Sequence, residues 1–138
     1  MIETKILQLE TRGNADVIDI TKDVERALRE TKAEDGIVTV FVSGSTGAVT
    51  TIEYEPGLVK DIRTALDKIA PQGAKYEHDK RWGDGNGHSH VRASLIGPSL
   101  TVPFVKREMQ LGTWQQIVFI DLDNRARQRR LIVQVMGE

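Results

Sequence analysis

LGTWQQIVFIDLDNRARQRRLIVQV, residues 111–135, is the stretch on which the fold turns. The apolar run 117–120 and the later Leu131, Val133 and Val135 read as two strands, roughly 113–121 and 127–137. Asp123-Asn124 between them reads as a hairpin turn. Strand alternation places Thr113, Gln115 and Ile117 on one face and Trp114, Gln116 and Val118 on the other. The two glutamines suit a polar pocket, a subunit interface or a strand emerging from solvent. The basic run 125–130, RARQRR, has no interleaved aromatics and reads as a solvated hairpin tip.

Working outward, 99–105 is a further strand. The segment 88–97 also alternates, with His88, His90, Arg92 and Ser94 on one side and Val91, Ala93 and Leu95 on the other, so it is read as a strand. Upstream, 2–10, 16–20, 37–42 and 48–53 read as strands, the run IVTVFV at 37–42 as a central one. Thr21 looks like an N-cap for a helix over 22–33, with Val24, Ala27 and Leu28 on its apolar side. Pro56 opens a second helix, whose stripe is Leu58, Ile62, Ala65, Leu66 and Ile69, and Pro71 ends it. The expectation is an α+β fold: a large, mainly antiparallel sheet with two helices packed on it, in one domain spanning 1–138.

The chain of 138 residues carries a net charge of −1, which makes no global electrostatic case for nucleic acid or an anionic membrane. It has no cysteine, so a metal site must use nitrogen and oxygen donors. No window approaches the roughly 18 apolar residues of a membrane span, and MIETKILQLE lacks the apolar core of a signal peptide. A cytoplasmic protein with neither a nucleic-acid nor a membrane partner is expected. With 39% hydrophobic and 5% aromatic residues, burial rests on aliphatic side chains or is completed by self-association.

Candidate chemistry concentrates in WGDGNGHSH, residues 82–90. On a strand, His88 and His90 share a face with Cβ atoms roughly 6–7 Å apart, a usual way to offer two nitrogens to one divalent ion. His78 or Asp84 would complete such a shell, and Asn86 would support it. Glycines 83, 85 and 87 permit positive φ and close backbone approach. The same residues also suit an ordinary turn followed by a solvated strand face. Arg92, in phase with the histidines, is placed to fork onto a phosphate or carboxylate, and Ser94 adds a hydroxyl. Ser43-Gly44-Ser45-Thr46 follows a buried strand as a phosphate loop would, but lacks the lysine and spacing of a Walker A loop. Glu53 and Glu55 either reach a metal or complement the second helix's N-terminus.

GDGNGHSHVRASLIGPSLTVP, LGTWQQIVFIDLDNRARQRRLIVQVMGE and GIVTVFVSGSTGAVTTIEYEPGLVKDI together resemble the YjbQ-like family, also described as secondary thiamine-phosphate synthases. The resemblance covers almost the whole chain. It implies a homotrimer with a metal or anion pocket near the motif histidines. The activity it implies is the joining of hydroxymethylpyrimidine diphosphate to thiazole phosphate, with pyrophosphate leaving. His78 matches a Tyr-x-His segment and His90 the histidine before a Lys/Arg-x-Ser strand. Asp84 and Asn86 match an Asp-Asn loop. Ser94, Gly97, Ser99, Gly112, Thr113, Trp114 and Gln115 stand where the family has them. Many members carry a Pro-His-Thr-Thr or Pro-His-Thr-Ser loop where this chain has residues 43–46. Gly44 thus replaces a histidine, while His88 occupies a position often held by proline, and is expected to restore the missing imidazole.

The resulting expectation is a divalent metal on His78, His88 and His90, with Asp84, His90 and Arg92 carrying the chemistry. Ser45, Thr46, Asn86, Ser94, Thr113 and Gln115 would contact a small phosphorylated or anionic substrate. Imidazole donors favour Zn²⁺, Ni²⁺ or Co²⁺, and Mg²⁺ enters only with a diphosphate. The alternatives are a metal-dependent hydrolase or lyase and a trimer that binds a metal or anion without turnover.

Overall fold

Residues 1–138 are described by a computed structural model in which twelve elements follow one another. They are β1 (Ile2–Thr11), β2 (Asp16–Asp19), α1 (Thr21–Arg29), β3 (Gly36–Val42), β4 (Gly47–Ile52), α2 (Pro56–Ile69), α3 (Glu77–Trp82), α4 (Gly87–Ile96), β5 (Ser99–Val105), β6 (Glu108–Met109), β7 (Gln116–Asp121) and β8 (Arg127–Gly137). Every strand pairing is antiparallel, and the α+β class is as the sequence indicates.

The strands divide into a five-stranded sheet, β1-β8-β3-β5-β6, and a three-stranded sheet, β2-β7-β4. β7 and β8 therefore do not form the expected hairpin. β7 pairs with β2 and β4, and β8 with β1 and β3, so residues 122–126 arch from one layer to the other. The apolar pattern explains the split. All of β7 from Ile117 to Asp121 is buried, as befits a strand covered on both faces. Ile117 and Phe119 point into one cluster with Val38, Val40, Phe104, Leu131, Val133 and α1. Val118 and Ile120 point into a second, with Leu66 of α2 and Ala93 of α4. The five-stranded sheet, the three-stranded sheet and the α2/α4 layer thus stack in that order, and α1 fills the first gap.

The helices differ from expectation in three ways. α1 begins at Thr21 and stops at Arg29; its first turn is secured by Asp19, whose carboxylate accepts from Thr21 N and Oγ1. Glu55 is the N-cap of α2, accepting from the backbone of Gly57 and Leu58, which settles its role in favour of helix capping. The segment read as a strand over 88–97 is the helix α4, and α3 precedes it, giving four helices in place of two. Period-2 alternation over ten residues also contains i, i+4 pairs, and here His88/Arg92 and Ser89/Ala93 are the buried ones. Val91 and Leu95, which a strand would have buried, are exposed. No helix is long and apolar enough to cross a membrane.

The outer face of the large sheet is open. A polar row, Thr4–Gln134–Thr39–Thr101, is tied by hydrogen bonds at its two ends. Apolar rows flank it: Ile2, Met136, Ile37 and Pro103 on one side, Ile6, Ile132 and Phe41 on the other. Phe104→Ala, inside the sandwich, is expected to cost about 3–5 kcal/mol. Ile37→Ala on the open face should change the isolated protomer by less than about 0.5 kcal/mol. Urea unfolding at low protein concentration measures both.

Candidate functional site: a histidine loop hung from buried carboxylates

Four loops meet where β7 passes into β8. Leu122 N donates to Thr46 O, Asn14 N to Asp123 O, and Asn124 Nδ2 to Asp84 O. At the centre lie two carboxylates with no exposure, Asp121 and Asp123. Both oxygens of Asp121 are paired with Arg129, through Nε at 2.7 Å and Nη2 at 2.8 Å; Thr11 Oγ1 and Asp123 N add two more donors. Asp123 is lopsided. Its Oδ2 accepts from Thr46 Oγ1 (2.9 Å), Asn86 Nδ2 (3.2 Å) and Arg127 Nε and Nη2 (3.1 and 3.0 Å). Its Oδ1 is buried without any partner. Burial pushes this carboxyl's pKa up, yet the Asn86, Thr46 and Arg127 donors and the Arg127 charge outweigh it and hold the group below its ordinary value.

This centre holds strain in place. Ala15, buried, adopts a left-handed conformation (φ 60°), which costs a non-glycine residue about 1–2 kcal/mol. Arg63 Nε donates to its carbonyl at 3.0 Å, and the Asn14–Asp123 bond secures its neighbour.

The histidine loop leans on the same centre. Gly83 and Gly85 take positive φ, 65° and 63°, and a Cβ on Gly87 would stand 2.5 Å from that of Tyr76, so the glycines serve as their pattern suggested. His78 Nδ1 lies 3.5 Å from Asp79 Oδ1 and 3.6 Å from Asp84 Oδ1, and one ligand atom from each of these residues falls within 4.8 Å of the others. The His90 ring stacks on that of His78 with centroids 4.3 Å apart. Burial and the neighbouring His78 lower the His90 pKa, the direction that metal ligation favours.

His88 is elsewhere. Two residues along a helix turn through about 200°, so His88 and His90 face opposite ways, unlike a strand's i, i+2 pair. His88 is buried, 6.5 Å from the ring of Tyr76, with its Nε2 3.4 Å from Ser89 Oγ. Arg92 is also buried and committed: Nε donates to Ala70 O and Nη2 to Asp67 Oδ1, both at 2.8 Å, tying α4 to the end of α2. The expected strand face of His88, His90, Arg92 and Ser94 does not exist.

Thr46 bridges Asp123 and Arg129 and is buried. Asn86 donates to Asp123 and accepts from Asn124 N. Ser45 and Ser94 line a hollow of about 180 Å³ with Gly44, Gly47, Ala93 and Pro98, and Ser94 Oγ donates to His90 O. Thr113 and Gln115 lie in the turn before β7, at the end opposite Asp121, roughly 17 Å along the strand. Gln115 bonds Thr51 there, beside a separate cleft between β4 and β5.

Asp121, Asp123, Arg127 and Arg129 were not anticipated as site residues. Their signal was available: D-x-D followed by R-x-R puts each pair on one side of its strand. RARQRR is therefore only half solvated, because the Arg129 side chain is largely covered and that of Arg127 partly so.

The family model for the UPF0047 protein YjbQ-like family matches residues 5–138. The chain belongs to that family. A UPF0047 protein of Archaeoglobus fulgidus is 38% identical over 94% of this chain and 98% of its own length, and Bacillus subtilis YugU is 33% identical over 96% and 98%. Among solved structures, a hypothetical protein of Aeropyrum pernix K1 superposes with a TM-score of 0.91 at 32% identity, covering 99% of both chains. A YbjQ-like protein of unknown function from Sulfolobus solfataricus gives 0.89 at 27%, covering all of both. These findings overturn the expectation of a thiamine-phosphate synthase, a transferase: the family matched is one of unknown function, and none of these relatives is named for that activity.

Two outcomes follow from the carboxylate centre. Asp121→Asn, which strands Arg129, should cost about 3–5 kcal/mol in denaturant unfolding. Because the folded pKa of Asp123 is depressed, its contribution is present above its unfolded value near 3.8 and lost as pH falls through the folded one. Melting temperature between pH 7 and pH 2 should therefore drop less steeply on the acid limb in Asp123→Asn than in the wild type.

Proposed function

We propose that this protein is a metal-dependent hydrolase or lyase acting on a small anionic substrate, with its ion held by His78, Asp84 and His90. The observations that carry this reading are the convergence of His78, Asp79 and Asp84 ligand atoms and the His90 ring tilted against that of His78, centroids 4.3 Å apart. Asp79 is the weaker donor, since its Oδ1 already accepts from Gly87 N at 2.9 Å. Mixed imidazole and carboxylate donors suit Zn²⁺, Ni²⁺ or Co²⁺. Such an ion supplies Lewis acidity to a bound oxygen.

The chain's own groups supply the rest. Asp84, half exposed, is placed to bind and to move a proton at the mouth of the loop. The cationic group for substrate is Arg129 in place of Arg92. Its Nε and Nη2 are used by Asp121 and Thr46, but Nη1 makes no hydrogen bond and lies 3.0 Å from where a Cβ on Gly44 would stand. Glycine at 44 leaves that edge of the guanidinium open beside Ser45, which favours a carboxylate or phosphate there.

We also propose that the chain assembles as a homotrimer through the open face of the large sheet. The apolar rows around Ile37, Phe41, Ile2, Ile6 and Met136 support it, each of these side chains being at least 40% exposed in the single chain.

Titration of untagged protein with Zn²⁺, followed by calorimetry and elemental analysis, is expected to show one site per chain. His78→Ala, Asp84→Asn and His90→Ala should each weaken it at least tenfold. His88→Ala should leave affinity within about threefold while lowering thermal stability. Absence of a saturable site, or loss of binding confined to His88→Ala, overturns the assignment. For assembly, Phe41→Asp is expected to convert a trimer to protomers in light scattering; an unchanged mass refutes the proposed face.

A further inference from the structure

Asp123 is a carboxylate with four donors on one oxygen and none on the other, although the whole group is shielded from solvent. A buried acceptor without a partner is rare and costly. The surplus at Oδ2 shows that the residue is not short of donors in general. Thr46, Asn86 and Arg127 all bond Oδ2, so the carboxylate is clamped through that oxygen and Oδ1 is left free.

One neighbour of this carboxylate follows from helix geometry. Asn86 is the N-cap of α4, and residues four apart lie above one another on a helix. The residue one turn above Asn86 is His90, whose backbone N–H donates to Asn86 O. The face of α4 that touches Asp123 is thus the face that carries His90. The carboxylates of Asp84, Asp123 and Asp79, in that order, oppose the lowering of the His90 pKa. His90 itself makes no side-chain hydrogen bond; its ring is held only by stacking on His78. An imidazole that ligates a metal through one nitrogen nearly always donates the N–H of the other to a carboxylate or carbonyl, which fixes its tautomer and orientation. The histidine χ2 torsion is soft, so aligning the ring is cheap.

We propose that Asp123 is the positioning carboxylate of the histidine site, its Oδ1 accepting the ring N–H of His90 and so presenting the other ring nitrogen to the ion. The inference rests on the metal reading above and assigns a role to the buried centre that stability alone does not require. Ionised Asp123 only accepts, and no proton changes hands. The clamp from Thr46, Asn86 and Arg127 sets the direction of Oδ1.

Asp123→Asn is the discriminating variant. Its amide oxygen can replace Oδ2 beneath the three donors, which leaves an NH₂ group facing His90 where an acceptor stood. Zn²⁺ affinity measured by calorimetry should fall about 10–100-fold. Phe104→Ala destabilises the fold inside the sandwich without touching the clamp, and should stay within about threefold of wild type. Equal losses in the two variants would make Asp123 a structural residue and overturn the inference.

A second measurement needs neither a variant nor bound metal. In ¹⁵N-histidine-labelled wild-type protein, the His90 ring should show one dominant tautomer at pH 7.5 by long-range ¹H–¹⁵N correlation. A mixture of tautomers like that of free imidazole refutes the pairing, even if Asp123→Asn fails to fold. Wild-type protein that binds no Zn²⁺ but shows a single His90 tautomer sinks the metal reading and keeps the Asp123–His90 pair.

Discussion

The buried pairing of Asp121 with Arg129 and of Asp123 with Arg127 is the constraint on which the rest of this structure hangs. β7 and β8 are consecutive strands in different layers, so something other than ladder hydrogen bonds must register one against the other. Asp121 ends β7 and Asp123 follows it in the arch, while Arg127 begins β8 and Arg129 shares its face of the strand, so the four side chains meet at the arch. Replacing such groups with apolar residues often leaves a protein as stable or more so. Their contribution here is directional: a guanidinium fork meets a carboxylate in one orientation, whereas aliphatic packing tolerates several.

Functional geometry inherits that direction. The β3–β4 loop is fixed by Thr46, the histidine loop by Asn86 and Asn124, and the β1–β2 loop by Thr11 and the Asn14–Asp123 bond. The left-handed Ala15 survives because its neighbours over-determine it. One end of the molecule is thus held by polar contacts and the opposite end, around Gly112 and Gln115, by a separate turn. The familiar Gly-Thr-Trp-Gln segment therefore belongs to a different part of the surface from the histidines, and it shares no pocket with them.

Strands whose side chains alternate between water and core were legible: β1, β3, β5 and β8 fall within a residue or two of where periodicity places them, and so does α2. The failures share a cause. Reading by hydrophobic pattern assumes that the buried face is apolar, and this protein buries polar side chains where its site lies. α4 buries His88, Ser89 and Arg92 while exposing Leu95, so its pattern pointed to a strand. RARQRR looked solvated because nothing local says that Arg127 and Arg129 will meet aspartates at the end of the preceding strand. Asp123-Asn124 does mark a chain reversal, but which partners the flanking strands choose depends on β1, β2, β3 and β4, far away in sequence. His78 and His90, by contrast, are picked out by clustering as well as by resemblance, since all three histidines fall within 13 residues, 78–90. The approach of the two rings needed the packing of α3 and α4 to reveal it.

The polar interior of α4 also explains how one helix can serve a site so narrowly. His88 and Arg92 lie on one side, Arg92 bonded to Ala70 and Asp67; Asn86, His90 and Ala93 lie on another, against the arch and the second core. An apolar helix in the same groove could rotate by tens of degrees at little cost, because dispersion contacts are individually weak and interchangeable. Hydrogen bonds on two sides at once forbid that rotation. The buried His88 and Arg92 are in this sense the reason that His90 points where it does, and their effect on the site is mechanical. They set the helix, the helix sets His90, and the clamped carboxylate of Asp123 stands at the same face to receive it.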